Sequence, residues 1–348
     1  MTSYVIRRII YMLVVFIILS FLMYALYNLI PNDPARAEME QRKKAEKLTP
    51  EQYESEYLRL RKMYGLDDSL FVRYLRWFGL YPAINLTGDA SQDGKLSGLI
   101  QGNFGQSNYY KTKVADVIGE PMGNTLFINI FATVLALGIT IPLGIYCAVK
   151  KNSKFDQSVQ VITIVGYSIP IYIVALIFIF LFSVLIRVFP IGGMKAAGST
   201  AVGFEAFIEK LYYIALPLIV MTFASLGGMT RYVRAAMIDS LGMDYIRTAR
   251  AKGVKEKVVI YSHAFRNALL PIITVIIGWF LTLFSGSVII EQTFSLNGMG
   301  KLYIEGLNHN DFELVLAMQM FYTIVALVGN LITDLSYGIV DPRVRIQK

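Results

Sequence analysis

Six stretches of this chain hold no Asp, Glu, Lys, Arg or His and run for 20 to 30 residues each. They are Ile9–Asn32, Gly123–Val149, Gln157–Ile186, Leu211–Thr230, Asn267–Ile290 and Leu314–Thr333. A helix rising about 1.5 Å per residue needs about 20 apolar residues to cross some 30 Å of hydrocarbon. Only 17% of the residues are charged and 55% are hydrophobic, too few charges to clothe a water-soluble surface. The expectation is an all-α membrane protein with six transmembrane helices. The third run is long and contains Pro170, and reads as one span whose ends lie in the interface. The first run follows Arg7 and Arg8, as a signal peptide would. It exceeds a signal h-region, and Pro31-Asn32-Asp33-Pro34 stands where a small-residue cleavage site would follow, so it reads as an uncleaved helix.

The basic residues set the direction. With the N-terminus inside, the inner segments hold 16 Lys and Arg and the two short outer loops hold four. That bias places both termini in the cytoplasm. It also reads the net charge of +8 as a topology signal and not as a nucleic-acid footprint. The resulting division is 1–32 for the first transmembrane helix, 33–122 for a long extracytoplasmic segment, and 123–348 for a core of five further spans. The core's inner loop, 231–266, carries eight of the inner basic residues.

Several chemistries find no residues to carry them. The single cysteine, Cys147, lies in an apolar run and cannot form a disulfide within the chain, and one cysteine with two separated histidines makes no zinc site. No span has an ionisable residue in its central portion, which argues against proton- or sodium-coupled transport, and no filter or charged ring of the channel type is visible. There is no G-x-x-x-x-G-K-[ST] phosphate loop, so a transporter built on this chain takes its energy from another subunit. Pro142, Pro170, Pro217, Gly227, Gly228 and Pro271, in or at the edges of spans, read as ordinary membrane packing.

In the outer segment, Thr49-Pro50-Glu51-Gln52 predicts a helix start with Thr49 as N-cap, Pro50 at N1 and Gln52 closing a capping box. Leu58, Met63 and Tyr64 suggest its apolar face and Gly65 its stop. A second short helix is expected over Phe71–Phe78, and Gly79–Gly98 reads as loop. A solvated cap and a platform for an outside partner are equally consistent with this pattern. In the inner loop, Gly242 interrupts the helical pattern, Met243–Lys252 forms a short helix, and Gly253 supplies a left-handed stop. Tyr245, Ile246 and Ala249 fall close to one face, and Lys255–Asn267 restarts a helix leading to Pro271. A basic loop that only fixes topology and a rigid knob that transmits force both fit.

The run Asp244-Tyr245-Ile246-Arg247-Thr248-Ala249-Arg250-Ala251-Lys252-Gly253, followed by His263-Ala264-Phe265-Arg266-Asn267-Ala268-Leu269-Leu270-Pro271, resembles the coupling loop of binding-protein-dependent ABC importer permeases. It is most similar to the peptide/nickel branch, in particular the first (B-type) permease of oligopeptide and dipeptide importers. Gly65-Leu66-Asp67, Tyr74 and Gly102-Asn103-Phe104-Gly105-Gln106-Ser107 resemble that family's outer segment. Glu291, Phe294 and Gly298-Met299-Gly300 resemble its fifth outer-loop signature, and Asp334, Tyr337 and Asp341-Pro342-Arg343-Val344-Arg345 its ending. Arg247, Thr248 and Ala249 stand in the general E-A-A positions, as is usual in the peptide branch. Asn297 replaces a proline before the Gly-x-Gly element, and Asn310-Asp311-Phe312-Glu313 replaces Arg-Asp-x-Pro. Residues around Arg36–Leu48 and Phe78–Ile100 look like insertions.

The resemblance implies a multi-pass subunit of the bacterial inner (cytoplasmic) membrane that forms the pathway for oligopeptides or dipeptides. Its implied partners are a homologous second permease, two ATP-binding subunits, an extracytoplasmic binding protein and membrane lipid, with no nucleic acid. The chain itself would have no catalytic residue, metal or cofactor; ATP and Mg would sit in the ATPase subunits. Asp244, Tyr245, Arg247, Thr248, Ala249, Arg250 and Gly253 would couple it to an ATPase through a cytoplasmic helix between the fourth and fifth spans. A nickel or metal-chelate importer, or an ATP-independent channel, are the alternative readings.

Overall fold

The computed structural model describes residues 2–29, 35, 36, 39, 43, 49–84 and 94–340. Within them the chain is helical nearly throughout, with α1 (Thr2–Leu29), α2 (Pro50–Met63), α3 (Leu70–Phe78), α4 (Val114–Val149), α5 (Lys154–Ser168) and α6 (Ile171–Phe178). There follow α7 (Gly203–Leu241), α8 (Asp244–Ala251), α9 (Glu256–Val258), α10 (Arg266–Thr282), α11 (Val288–Thr293), α12 (Met299–Asn308) and α13 (Phe312–Val340). Among the described residues the only β pairing is two isolated bridges, Pro82 with Leu96 and Gln106 with Lys113.

Five helical stretches are long and apolar enough to cross a membrane: Val5–Leu29, Val114–Val149, Gly203–Leu241, Glu256–Phe280 and Phe312–Asp334. The third run departs from the sequence expectation. It is not one continuous helix but α5 and α6 with its continuation to Leu185, meeting at 102°. Pro170 has no N–H for the ladder and drives the preceding Ile169 to extended backbone (ψ 126°), so the helix breaks there. Each arm alone, at about 22 Å, falls short of a full crossing, and the pair counts as one broken span or a re-entrant loop. The fifth run is also shorter than expected. Its helix ends at Thr282, Gly286 turns the chain with φ +65°, and α11 begins anew at Val288, so Gly286–Ile290 is not spanning helix. The second span starts at Val114, ahead of its charge-free stretch.

The chain divides into two compact units, Met1–Gly119 with Tyr303–Ile324, and Glu120–Leu302 with Val325–Lys348. In the first, the capping box forms as expected: Thr49 accepts from the Gln52 N–H while the Gln52 side chain accepts from the Thr49 N–H. The buried face of α2, however, is Leu60 with Tyr53, Tyr57 and Met63, whereas Leu58 and Tyr64 are exposed. The amphipathic α3 buries Tyr74 and Phe78 against Phe16, Phe21 and Tyr24 of α1. Tyr74 meets Phe21 edge-on at 5.1 Å, and its hydroxyl pairs with the buried Ser20 at 2.8 Å. Most of Arg36–Leu48, residues 85–93 of the second insertion, Asp341–Arg345 and the side chain of Tyr337 lie outside the described residues.

The second unit has two apolar clusters. One joins Ile128 and Ala132 of α4, Val174 and Ala175 of α6, Ile214, Leu216, Leu218 and Val220 of α7 and Ile290, Phe294 and Leu296. The other joins Ile145 of α4, Met229, Val233 and Met237 of α7, Ile246 and Ala249 of α8, and Val259, Ala264, Ala268 and Ile272. The helices approach closely where glycine removes the side chain: a Cβ at Gly144 would stand 2.7 Å from Val233, and one at Gly227 would stand 2.7 Å from the Thr163 carbonyl. Van der Waals packing of this kind is what holds helices together where lipid is as apolar as the side chains.

Candidate functional site

The loop between α7 and α10 is built by local rules. Gly242 caps α7, and the extended Met243 (ψ 151°) breaks the helix before α8 starts with Asp244 in its first turn. An acid there and Arg250 in the last turn both oppose the helix dipole favourably. Gly253, at φ +72°, ends it: its N–H bonds the Arg250 carbonyl and the Val254 N–H bonds the Ala249 carbonyl, the paired bonds of a Schellman stop. The following helix restarts as expected but through a π segment, Val259–Phe265, before α10.

The expected coupling residues divide by face. Ala249 is buried, together with Ile246, against α7 and the π segment, so its small side chain seats α8 on the protein's own bundle. Asp244, Arg247, Thr248, Arg250 and Gly253 are exposed. Tyr245 is exposed over its ring, yet its hydroxyl pairs with Ser240 of α7 at 2.8 Å. Ser240 in turn donates to the Ala264 carbonyl at 2.7 Å. One buried hydroxyl thus ties α7, α8 and the π segment together. Arg250 pairs with Glu256 at 2.6 Å, which raises the arginine pKa, and Arg247 lies 3.4 Å from Asp244. Exposed pairs of this kind hold little energy and open readily to another partner.

A second tie on α7 joins the loop before α5. The carboxylate of Asp156, buried at 1% exposure, takes a bidentate bond from Arg234 at 2.6 and 2.7 Å and a further bond from the Asn152 N–H at 2.9 Å. The forked geometry and the third donor satisfy most of the carboxylate's acceptor sites. Both of these loops are thereby fixed to the same end of one helix.

At the other end of the second unit lies a site that sequence reasoning flagged only by resemblance. Glu291 on α11 is 4% exposed. Its Oε1 accepts from Thr125 Oγ1 of α4 at 3.0 Å and from the Ser287 N–H at 3.3 Å, and Oε2 accepts from the Lys301 N–H at 2.9 Å. Thr125 accepts from the Met299 N–H at 2.8 Å, so its own proton is committed to Glu291. The glycines around it are required for space: a Cβ at Gly298 or Gly286 would lie 2.6 Å from a Glu291 oxygen, and one at Gly300 would meet the Val288 nitrogen at 2.7 Å. Burial pushes the Glu291 pKa up, and the ring of donors pulls it back. Beside Thr125, Asn124 donates to the Asn297 carbonyl at 2.8 Å and accepts from Lys210 at 2.8 Å. The legible signal was an acid within a mostly apolar segment, bracketed by three glycines; its partner Thr125 carried none.

The first unit brings two further family-like segments together. Asp311, fully buried, accepts from the Ser107 hydroxyl, from the Asn108 N–H at 3.1 Å and from the Tyr109 N–H at 3.2 Å. Tyr110 donates to Glu305 at 2.8 Å, and burial followed by that carboxylate raises the phenol's pKa. The Gly102–Ser107 and Asn310–Asp311 elements are therefore two halves of one carboxylate-centred joint. No group of three or more His, Cys, Asp or Glu that could hold a metal occurs among the described residues.

The chain holds five helices long and apolar enough to cross a membrane, or six if the bent pair is one span, and the short α8 packs beside the basic end of α7. The family described as "binding-protein-dependent transport system inner membrane component" matches residues 140–346, and its N-terminal counterpart matches residues 1–129. The chain belongs to this family, and is a multi-pass inner-membrane protein that works with a substrate-binding protein and other transporter subunits. It is similar to the oligopeptide transport system permease protein AppB of Bacillus subtilis, 34% identical over 99% of both chains. It is also similar to the dipeptide transport system permease protein DppB of Escherichia coli, 30% identical over the whole of both. A putative peptide permease protein of Brucella suis is 31% identical over 99% of this chain and all of its own.

Proposed function

We propose that this chain is the permease subunit of an ATP-driven importer and forms the path for oligopeptides or dipeptides delivered by an extracytoplasmic binding protein. The observation that carries the cargo is the end-to-end similarity to relatives named for oligopeptide, dipeptide and peptide transport. The six stretches free of ionisable residues suit a wide path whose selectivity resides in the binding protein. The chain pairs with a homologous second permease above two ATP-binding subunits, which hold the ATP and Mg; it has no catalytic residue and no cofactor of its own. Both termini and loop 231–266 are cytoplasmic, 33–122 is extracytoplasmic, and 123–348 is the permease core. The sixteen inner basic residues support this orientation.

In this reading α8 sits in a cleft of one ATPase subunit. Its exposed Asp244, Arg247, Thr248 and Arg250 meet the ATPase, while Ile246, Ala249 and the Tyr245 hydroxyl hold it to α7 and the π segment. Closure of the ATPases then turns the bundle as a rigid body between inward- and outward-facing states. The test is the assembled complex in liposomes, with peptide uptake and peptide-stimulated ATP hydrolysis measured together. Reversing charge with R247E and R250E should cut both by about tenfold, the loss of one charge-assisted contact. Unchanged hydrolysis would remove the coupling role, and uptake of nickel without peptide would remove the cargo.

A further inference from the structure

Glu291 is a carboxylate that the fold surrounds on every recorded side with donors, and nothing in the coupling scheme uses it. Thr125 reaches it from α4, Ser287 from the start of its own helix, and Lys301 from the start of α12. Two glycines leave room for its oxygens, and Phe294, one turn on, is fully buried with its carbonyl held by the Gly193 N–H at 2.8 Å. The segment Ser287–Lys301 therefore has four fastenings on other elements: Glu291 and Met299 on Thr125, Asn297 on Asn124, and Phe294 on Gly193. Lys210 of α7 sets the Asn124 amide by donating to its oxygen, which leaves the nitrogen to grip Asn297.

We propose that Glu291 is a positioning residue that latches the Ser287–Lys301 segment onto α4 as the outer stop of the transport cycle, so that opening the latch uncouples ATP hydrolysis from delivery. The reasoning is one of acceptor count. Each recorded hydrogen bond to the carboxylate comes from a donor, the Thr125 hydroxyl and the Ser287 and Lys301 N–H groups, and neither backbone N–H can turn round to accept. An amide at 291 offers its own N–H where an acceptor is needed, and so leaves a buried donor facing a donor. The shape of the site is kept while the fastening is lost. A purely structural buttress would fail differently, lowering the amount of folded complex without changing what each ATP accomplishes. The inference rests on the importer reading above.

The experiment uses the complete complex in liposomes, comparing wild type with E291Q and with T125V, which keeps the shape of threonine and removes both its donor to Glu291 and its acceptor for the Met299 N–H. Both variants should assemble, should raise ATP hydrolysis in the absence of binding protein, and should lower peptide moved per ATP by about tenfold for E291Q and less for T125V. Wild-type uptake per ATP in both variants would overturn the latch. So would loss of assembly in both, since that is the signature of a buttress. If the wild-type complex moves no peptide while the variants still raise unstimulated hydrolysis, the peptide reading fails and the latch stands.

Discussion

Gly253 shows how a single backbone angle decides what a side chain could not. Its φ of +72° is unfavourable for any residue with a Cβ, while the space around it is open. Gly253→Val is therefore expected to cost about 1–2 kcal/mol through the backbone alone and to weaken the stop of α8. Gly253→Asn, which enters the left-handed region more easily, should retain most function. Parallel assays of peptide-stimulated ATP hydrolysis check the pair; equal losses in both would point to lost contact with a partner instead of backbone strain. Glycine near a helix end was legible in the sequence for this reason. The inward turn of Ala249 was not, because periodicity says which residues share a face and not which face is covered.

At the scale of elements, what was local was legible. The capping box of α2, the short α3 and the break before α8 all follow from residues within one or two turns of each other. The 102° bend escaped because Pro170 sits in an unbroken apolar run, where charge counting sees one long span. The early end of α10 escaped for the same reason, as Ser285-Gly286 is uncharged. The Asp156–Arg234 pair, separated by 78 residues, has no signature in either strand of sequence around it. Its removal from one side leaves a charge without its partner, so Asp156→Ala should destabilise the protein by about 3–5 kcal/mol. Adding Arg234→Ala should recover part of that loss, measured as thermal unfolding of the purified protein in detergent; strictly additive losses would show that the two groups do not interact.

For the whole molecule, composition and charge placement made the class legible, because membrane insertion reads the same quantities. The proposed orientation predicts that alkaline phosphatase fused within the extracytoplasmic segment near Ile100 is active. A fluorescent protein joined after Lys348 should fluoresce. Phosphatase activity at the second position with none at the first would invert the topology. The cargo is legible only through relatives, since the six charge-free stretches hold no side chain that could select it by charge.

The 39 residues of α7 give the molecule a lever. Lys210 is fastened near one end, and Arg234 and Ser240 near the other. Thirty residues of helix separate Lys210 from Ser240, about 45 Å, so a tilt of about 5° pivoted at one end sweeps the other by about 4 Å. A displacement of that size exceeds the length of any bond holding Asn124 to Lys210. Small rotations begun among the basic loops thus have enough mechanical advantage to break or make single hydrogen bonds at the far side.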